Sequence, residues 1–377
     1  MNFLGILCLI LIATTLVGHL SAKLNFPVVI GQLLVGVILG PAFLNLIQAN
    51  DFIKIFSEIG VIILMFLAGL ESDLHLLLRF IKPSILVASM GMLLPLASFY
   101  LIGLLFNLDN KESIFLGVIF AATSVSITVE VLKEMKQLDS QEGITILGAA
   151  VADDILSVIM LSVVTSNMNS SKIGSTLALQ ILFFIILLVS IRWIIPKLMD
   201  LGAIFEIPVS EIIMALILCF GLSYIADLMG LSTVIGSFFA GIAVGQTDYK
   251  KMISKGIQPI GYGLFIPVFF ISIGLNITFK GLIDDFPLFI ILTIVGIISK
   301  TIGAGAGAKL FGFSNRSSLM IGFGMVSRGE MALIIAQIGF QSHLLSVDRY
   351  SAVISAIFIC TLVAPFLLKK FRYATTN

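Results

Sequence analysis

Two adjacent aspartates, Asp153 and Asp154, lie in the middle of an apolar stretch, residues 143–165. The other residues of this stretch are apolar, small or hydroxylic. A carboxylate at the centre of a bilayer costs at least about 2.5–3.5 kcal/mol, and such carboxylates usually mark ion or proton pathways. Neighbouring side chains on a helix point about 100° apart, so the two carboxylates face different surroundings. The pair therefore predicts that the function resides here, inside the membrane.

Four further polar features interrupt apolar segments of the chain. Lys300 is one, and Arg328 with Glu330 form a second. Residues 121–128 hold four hydroxyl groups, and residues 267–274 combine a proline, a serine and a glycine. For Lys300 the ordinary role is that of a structural counter-ion to an aspartate, and this role also places it at the site.

Single hydroxyl groups and glycines in a membrane have ordinary structural roles. A serine or threonine side chain commonly bonds to a carbonyl of its own helix, and we expect this of Ser126 and Ser157 taken alone. The glycines near residue 305 lack the strand and phosphate context of a nucleotide-binding loop. They predict close packing of helices, and they are Gly303, Gly305 and Gly307.

The composition is that of an integral membrane protein. The chain has 377 residues, of which 59% are hydrophobic and 11% charged, whereas a soluble domain carries about 25% charged residues. A net charge of +1 does not indicate nucleic acid as a partner. The start of the chain lacks the basic region of a signal peptide, so we expect a retained first helix. No polar stretch is long enough for a soluble domain.

The sequence predicts an all-α polytopic protein with thirteen transmembrane helices. A crossing takes about 20 apolar residues. The predicted spans lie near residues 3–22, 27–46, 52–70, 84–106, 112–132, 143–165, 175–195, 209–227, 231–247, 259–279, 286–308, 317–340 and 350–368.

The basic residues predict how these spans are oriented. Cytoplasmic loops carry an excess of Lys and Arg. With the N-terminus outside and the C-terminus in the cytoplasm, only five basic residues lie outside: Lys54, Lys111, Lys172, Lys280 and Arg349. Fifteen lie inside: Lys23, Arg79, Lys82, Lys133, Lys136, Arg192, Lys197, Lys250, Lys251, Lys255, Lys309, Arg316, Lys369, Lys370 and Arg372. Lys300 and Arg328 lie within the membrane.

The order of the spans suggests an inverted repeat of six, one and six helices. The first repeat then covers roughly residues 1–170, a linker helix residues 171–200, and the second repeat residues 201–377. The polar fifth and twelfth spans are each the fifth helix of a repeat, and in this layout two discontinuous helices cross near the midplane and build an ion site. Residues 123–126 and 327–330 are the predicted breaks. Arg or Lys is tolerated at the negative C-terminal half-helix ends.

With these features the chain resembles the bacterial monovalent cation:proton antiporters, in the NapA-like sodium/proton exchanger branch. This branch is related to the transmembrane part of Kef-type potassium efflux systems. The resemblance covers essentially all 377 residues. Four motifs carry it together: Glu58-Ile-Gly60 with Phe66-Leu-Ala-Gly-Leu-Glu71, Ala152-Asp153-Asp154, residues 230–241 and residues 267–274.

The resemblance implies a sodium/proton antiporter fold, with a core domain of crossed broken helices and a separate dimerisation domain. It implies a homodimer in the lipid of the cell membrane that works by an elevator-like movement. It implies no enzyme activity and no cofactor. Because the sequence ends soon after the last predicted span, we expect no nucleotide-gated domain of the kind that some potassium-extruding relatives carry.

The resemblance also implies a role for each polar residue of the site. Asp154 binds the transported cation, Asp153 pairs with Lys300, and Thr123 and Ser124 supply further oxygen ligands. Arg328 and Glu330 lie beside a helix break. Because the first aspartate is kept, the resemblance implies electrogenic exchange.

The residues indicate competition between ions as the mechanism. A hard cation takes oxygen ligands, and a carboxylate that holds a cation seldom holds a proton as well, so one site with alternating access is sufficient for exchange. We expect sodium as the transported ion, with a potassium/proton antiporter as the alternative, and oxygen ligands alone do not distinguish sodium from potassium or lithium. A cation channel or uniporter is an alternative. An intramembrane aspartyl protease needs aspartates that converge from separate helices, which adjacent residues do not provide. The sequence leaves the role of Glu58 open.

Overall fold

The computed structural model describes residues 3–24, 27–165, 170–276, 286–341 and 344–371, and the regular structure of these ranges is helical. In chain order the helices are α1 (Phe3–Lys23), α2 (Val28–Leu39), α3 (Asp51–Glu71), α4 (Leu74–Arg79), α5 (Ile81–Leu105), α6 (Asn110–Ala121), α7 (Val125–Glu134), α8 (Gln141–Thr165), α9 (Ser170–Val189), α10 (Ile195–Ile204), α11 (Ser210–Leu228), α12 (Thr233–Gly245), α13 (Lys250–Ile260), α14 (Ile266–Leu275), α15 (Phe286–Leu310), α16 (Asn315–Gly324), α17 (Glu330–Gln341) and α18 (Val347–Lys369). The π-helical turn Ser190–Ile194 joins α9 to α10, and the π-helical turn Gly261–Phe265 joins α13 to α14.

The helices agree with a multi-pass membrane protein. Among the described residues, nine helices are long and apolar enough to cross a membrane. Three shorter apolar helices accompany them: Val28–Leu39, Thr233–Gly245 and Met331–Phe340. Every predicted span contains a helix, but the count of thirteen crossings stays a prediction.

The second predicted span, residues 27–46, is wrong in its length, because α2 ends at Leu39. Gly40 has an extended backbone, with φ −80° and ψ −174°. Pro41 follows it, and a proline lacks the N–H that a helix needs and disfavours helical backbone in the residue before it. The apolar residues after Gly40 therefore form turns, although hydropathy alone does not distinguish them from a helix.

The tenth predicted span, residues 259–279, is wrong at its beginning. The helix begins at Lys250 and passes through the π-helical turn before ending at Leu275. Residues 250–260 are amphipathic and rich in lysine, so a search for apolar residues excludes them. Residues 277–279 of the predicted span lie outside the described residues.

The chain divides into two compact units, each assembled from separate stretches of sequence. The first unit consists of Met1–Leu11, Asn50–His75 and Met168–Phe270. The second unit consists of Ile12–Ala49, Leu76–Asn167 and Ile271–Asn377. Both aspartates and the other candidate site residues belong to the second unit.

In the first unit, α3 and α12 pack with their backbones in close contact. A side chain at Gly69 would collide with the carbonyl of Phe238, and one at Gly241 with the carbonyl of Phe66. The amide of the buried Gln180, on α9, donates to the carbonyl of Gly230 over 3.1 Å. The motif at residues 230–241 therefore has a packing role within this unit.

In the second unit, the alternating glycines bring α15 against two neighbours. A Cβ added at Gly303 would lie 2.5 Å from the carbonyl oxygen of Met90, and one at Gly307 would lie 2.8 Å from that of Leu86, both on α5. On another face, a Cβ at Gly305 would lie 3.1 Å from the carbonyl oxygen of Ser318, on α16. The prediction of close helix packing is confirmed.

This packing predicts that Gly303→Ala destabilises the protein by about 1–3 kcal/mol, because the added methyl forces α15 and α5 apart. Thermal unfolding in detergent measures the effect. Gly221→Ala in α11 is the matched control, because nothing lies within 4 Å of the added Cβ. Alanine is favoured over glycine in a helix by up to about 1 kcal/mol, so the control should be as stable as wild type or slightly more stable. Equal melting temperatures for the two variants would contradict the prediction.

Candidate functional site

Two breaks in the helices of the second unit form the frame of the site. The first separates α6 from α7 at residues 122–124, where Ala122 is extended with φ −61° and ψ 143°. The second separates α16 from α17 at residues 325–329. The sequence placed the breaks at residues 123–126 and 327–330. Both locations are confirmed to within two residues, although Ser126 already belongs to α7 and Glu330 begins α17.

Hydrogen bonds tie the two breaks together. The backbone N–H of Ser124 donates to the carbonyl of Ser327 over 2.8 Å, and the Ser327 hydroxyl donates to the carbonyl of Ser124 over 2.8 Å. The Thr128 hydroxyl lies 2.8 Å from both the Ser327 hydroxyl and the carbonyl oxygen of Gly324. Unwound backbone at membrane depth is tolerated where protein buries it. The hydroxyl-rich sequence supplies the bonds that the broken helices lack.

Lys300 connects the first break to the aspartates. Its side chain is fully buried on α15. Its Nζ donates to the carbonyl of Ala121 over 2.5 Å and lies 3.1 and 3.4 Å from the two carboxylate oxygens of Asp153. The last carbonyls of a helix lack partners and carry partial negative charge. The ammonium therefore neutralises both the end of α6 and a buried carboxylate.

Arg328 is the second buried cation of the site. Its guanidinium donates to the carbonyl of Ala122 over 2.8 Å and to that of Gly296, on α15, over 3.2 Å. Arg328 and Lys300 thus bind successive carbonyls at the C-terminal end of α6. A side chain at Gly329 would collide with the Ser124 hydroxyl, which explains why a glycine follows Arg328.

The aspartate pair lies in the middle of α8, and both side chains are buried. Asp153 faces Lys300. Arg328 binds the carbonyl next to the one that Lys300 binds. Two carboxylates, two cations and the polar end of a broken helix therefore share one buried region, as ion-handling membrane sites do.

Comparison with known proteins identifies the family to which this arrangement belongs. Residues 8–371 match the family model described as "Sodium/hydrogen exchanger, transmembrane". The chain is 50% identical over 376 residues to a Na(+)/H(+) antiporter of Enterococcus hirae, an alignment that covers 98% of each protein. The chain belongs to the sodium/hydrogen exchanger family.

One further relative and one solved structure extend the comparison. A Na(+)/H(+)-K(+) antiporter of Bacillus cereus, GerN, is 41% identical over 366 residues, which cover 96% of this chain and 94% of the relative. The structure of the sodium proton antiporter MjNhaP1 from Methanocaldococcus jannaschii matches with a TM-score of 0.68 over 97% of this chain and 95% of that chain. At 20% sequence identity this last match shows the fold alone.

Thr123 and Ser124, the hydroxyl residues implied as cation ligands, differ in their surroundings in this exchanger-family protein. The Ser124 hydroxyl lies 3.4 Å from the Ser126 hydroxyl. The Thr123 hydroxyl is buried and has no hydrogen-bond partner among the described residues. A buried hydroxyl without a partner is costly, and its oxygen is free to bind a cation. Glu330 begins α17, and its side chain lies outside the described part of the structure.

Two buried hydroxyl groups near this site are not predicted from the sequence. The sequence predicts that Ser157 bonds to its own helix, but its hydroxyl is buried without a partner in the described part of the chain. Its spacing from the aspartates was the signal that could have drawn attention to it. Thr361, on α18, contacts both the backbone N–H and the carbonyl oxygen of Arg328. An isolated threonine in an apolar span gives no such signal.

Proposed function

We propose that the protein is a secondary active antiporter that exchanges a monovalent cation, sodium in the first place, for protons across the cell membrane by alternating access. The observation that carries this proposal is the buried pair of Asp153 and Lys300 at the end of a broken helix, with Asp154 next in the chain. The same break holds Thr123, whose buried hydroxyl has no partner among the described residues. Membership of the sodium/hydrogen exchanger family supports it.

In the proposed mechanism, cation and protons compete for the same carboxylates. Asp154 binds the cation, and oxygens of Asp153, Thr123 and Ser124 complete its surroundings. Arg328 and Glu330 support the adjacent break. When Asp154 is protonated and Asp153 pairs again with the protonated Lys300, the cation leaves. One site that opens alternately to each side of the membrane is then sufficient for exchange.

Lys300 makes the proposed cycle electrogenic. When a cation binds, Asp153 turns from the ammonium to the cation, and Lys300 releases a proton. Asp154 releases a second proton as it takes the cation. Two protons then move for each monovalent cation, so one net charge crosses the membrane in each cycle. The membrane potential acts on such a cycle with about 2.3 kcal/mol per 100 mV.

The finer architecture belongs to the same proposal. We assign thirteen spans in a six-one-six inverted repeat with two crossed discontinuous helices, with the N-terminus outside and the C-terminus in the cytoplasm. The hydrogen-bonded breaks at residues 122–124 and 325–329 support the crossing. The division of the chain into two compact units supports an elevator-like movement of a homodimer in the lipid.

Potassium is the alternative cation, because the relative GerN is named a Na(+)/H(+)-K(+) antiporter. A cation uniporter is the other alternative function. The deciding experiment uses proteoliposomes loaded with sodium, potassium or lithium, with the membrane potential clamped. An outward gradient of the transported cation acidifies the lumen if protons enter in exchange, and leaves luminal pH unchanged for a uniporter.

The same assay tests competition at one site. The apparent KM for the cation should rise as pH falls, by up to about tenfold per pH unit for each proton that competes, as mass action requires. An apparent KM that stays constant from alkaline to mildly acidic pH would place the protons at a separate site.

A further inference from the structure

The hydroxyl of Ser157 lies one helical turn beyond the aspartate pair on α8. The side chain is 1% exposed, and its oxygen has no hydrogen-bond partner among the described residues. A serine in a helix normally bonds to the carbonyl four residues earlier, which here is the carbonyl of Asp153. No such bond satisfies this hydroxyl.

Helix geometry places Ser157 between the two carboxylates. With about 100° of rotation per residue, Ser157 lies about 40° around the helix axis from Asp153 and about 60° from Asp154. Residues three and four apart are neighbours on a helix surface, with about 5–6 Å between Cβ atoms. Side chains on a helix tilt toward its N-terminus. The Ser157 hydroxyl therefore leans toward the turn that carries the aspartates.

On α8, the turn that precedes the aspartates has no hydroxyl group at the equivalent positions. The residues one turn earlier on α8 are Ala149 and Ala150, both buried, and their methyl groups cannot bind a cation. Lys300 approaches Asp153 from α15 and also binds the carbonyl of Ala121. Among its near neighbours on the described part of α8, Ser157 thus presents the one hydroxyl on the aspartate face.

We propose that the Ser157 hydroxyl is a direct ligand of the transported cation and helps to set the affinity for it. This inference rests on the proposed function, because it assigns a further oxygen to the same site. The hydroxyl donates one lone pair to the cation and points its proton away, as an unpartnered hydroxyl is free to do. Without the cation the group remains buried and unsatisfied, at a cost that binding relieves.

This role predicts effects of opposite sign on binding and on stability. Ser157→Ala removes a ligand, so the apparent KM for the cation should rise about tenfold, the equivalent of one hydrogen bond to an ion. It also removes an unsatisfied buried group, so the melting temperature without cation should stay the same or rise. The maximal rate should remain within about twofold of wild type, since the carboxylates and Lys300 are kept.

The test measures the apparent KM of exchange in proteoliposomes and the melting temperature of the purified full chain with and without sodium chloride, using choline chloride to keep the ionic strength constant. Ser157→Thr keeps a hydroxyl and should retain the wild-type KM. Ser318→Ala is the matched control, because Ser318 is also a buried serine whose hydroxyl has no partner in the described ranges. It should leave the KM unchanged.

The outcomes separate this inference from the proposed function. An unchanged KM in Ser157→Ala, or an equal rise in Ser318→Ala, would overturn the role of Ser157 while wild-type exchange stands. If the wild type exchanges no cation for protons, the proposed function fails, and sodium-dependent stabilisation in the melting assay still decides whether Ser157 binds the ion. If Ser157→Ala does not fold, Ser157→Cys replaces it, since a thiol is a poor ligand for a hard cation. Its KM should rise similarly.

Discussion

Asp154→Asn is expected to abolish cation/proton exchange while leaving a folded protein that can be extracted and purified. Asparagine keeps the shape of the side chain but has neither the negative charge that holds a cation nor the acidic proton that is exchanged for it. A neutral amide is also less costly at membrane depth than a carboxylate. The loss of transport should therefore occur without a loss of stability.

Exchange in proteoliposomes and thermal unfolding of the same preparation measure the two effects. Asp227→Asn is the matched control, because Asp227 is an exposed aspartate near the end of α11, in the first unit, whereas the candidate site residues belong to the second unit. It should transport at the wild-type rate. Exchange by Asp154→Asn at a rate near that of the wild type would refute the assignment of the cation site.

Lys300→Ala is expected to have the second large effect, on both stability and voltage dependence. Removing one partner of a buried ion pair leaves the other charge uncompensated, which typically costs about 3–5 kcal/mol. The substitution also removes the ammonium that donates to the buried carbonyl of Ala121 at the end of α6. In the proposed cycle Lys300 carries one of the two protons, so its removal should also reduce the response of exchange to an imposed membrane potential.

The control for this variant is Lys309→Ala, which removes an exposed lysine from the end of the same helix, α15. It should change neither property. The double variant Asp153→Asn/Lys300→Ala should recover part of the lost stability, because no unpaired carboxylate remains. If the wild type exchanges ions at a rate independent of membrane potential, the two-proton cycle is wrong and the pair of Asp153 and Lys300 is structural only.

The features that the sequence predicted share one physical cause. A charge or a cluster of hydroxyl groups within an apolar span is costly, so Asp153, Lys300 and the two helix breaks can be predicted from the sequence alone. The glycines of α15 were visible because small residues in a membrane helix favour close packing. In each case the residue type itself is unusual in its surroundings.

The features that the sequence did not predict depend on contacts or on backbone geometry. The apolar residues after Gly40 are no less hydrophobic than those of α2, and the chain turns there because of Pro41. Thr361 is an ordinary residue until the structure places it against the backbone of Arg328. The two compact units combine distant stretches of sequence, and a reading along the chain does not reveal which stretches pack together.

The close packing of α15 limits how the charged end of Lys300 can move. Gly303 and Gly307 press this helix against α5, and Gly305 presses it against α16, so its backbone has little room to slide or roll. The ammonium can then change partners only by swinging on its own four-carbon side chain. In the proposed cycle Lys300 is therefore a proton carrier fixed to the helix: it gives up its proton when the transported ion binds beside Asp153, but its amine stays in the site. When the transported ion leaves in that cycle, the amine is already close to Asp153 and needs only a proton to restore the ion pair.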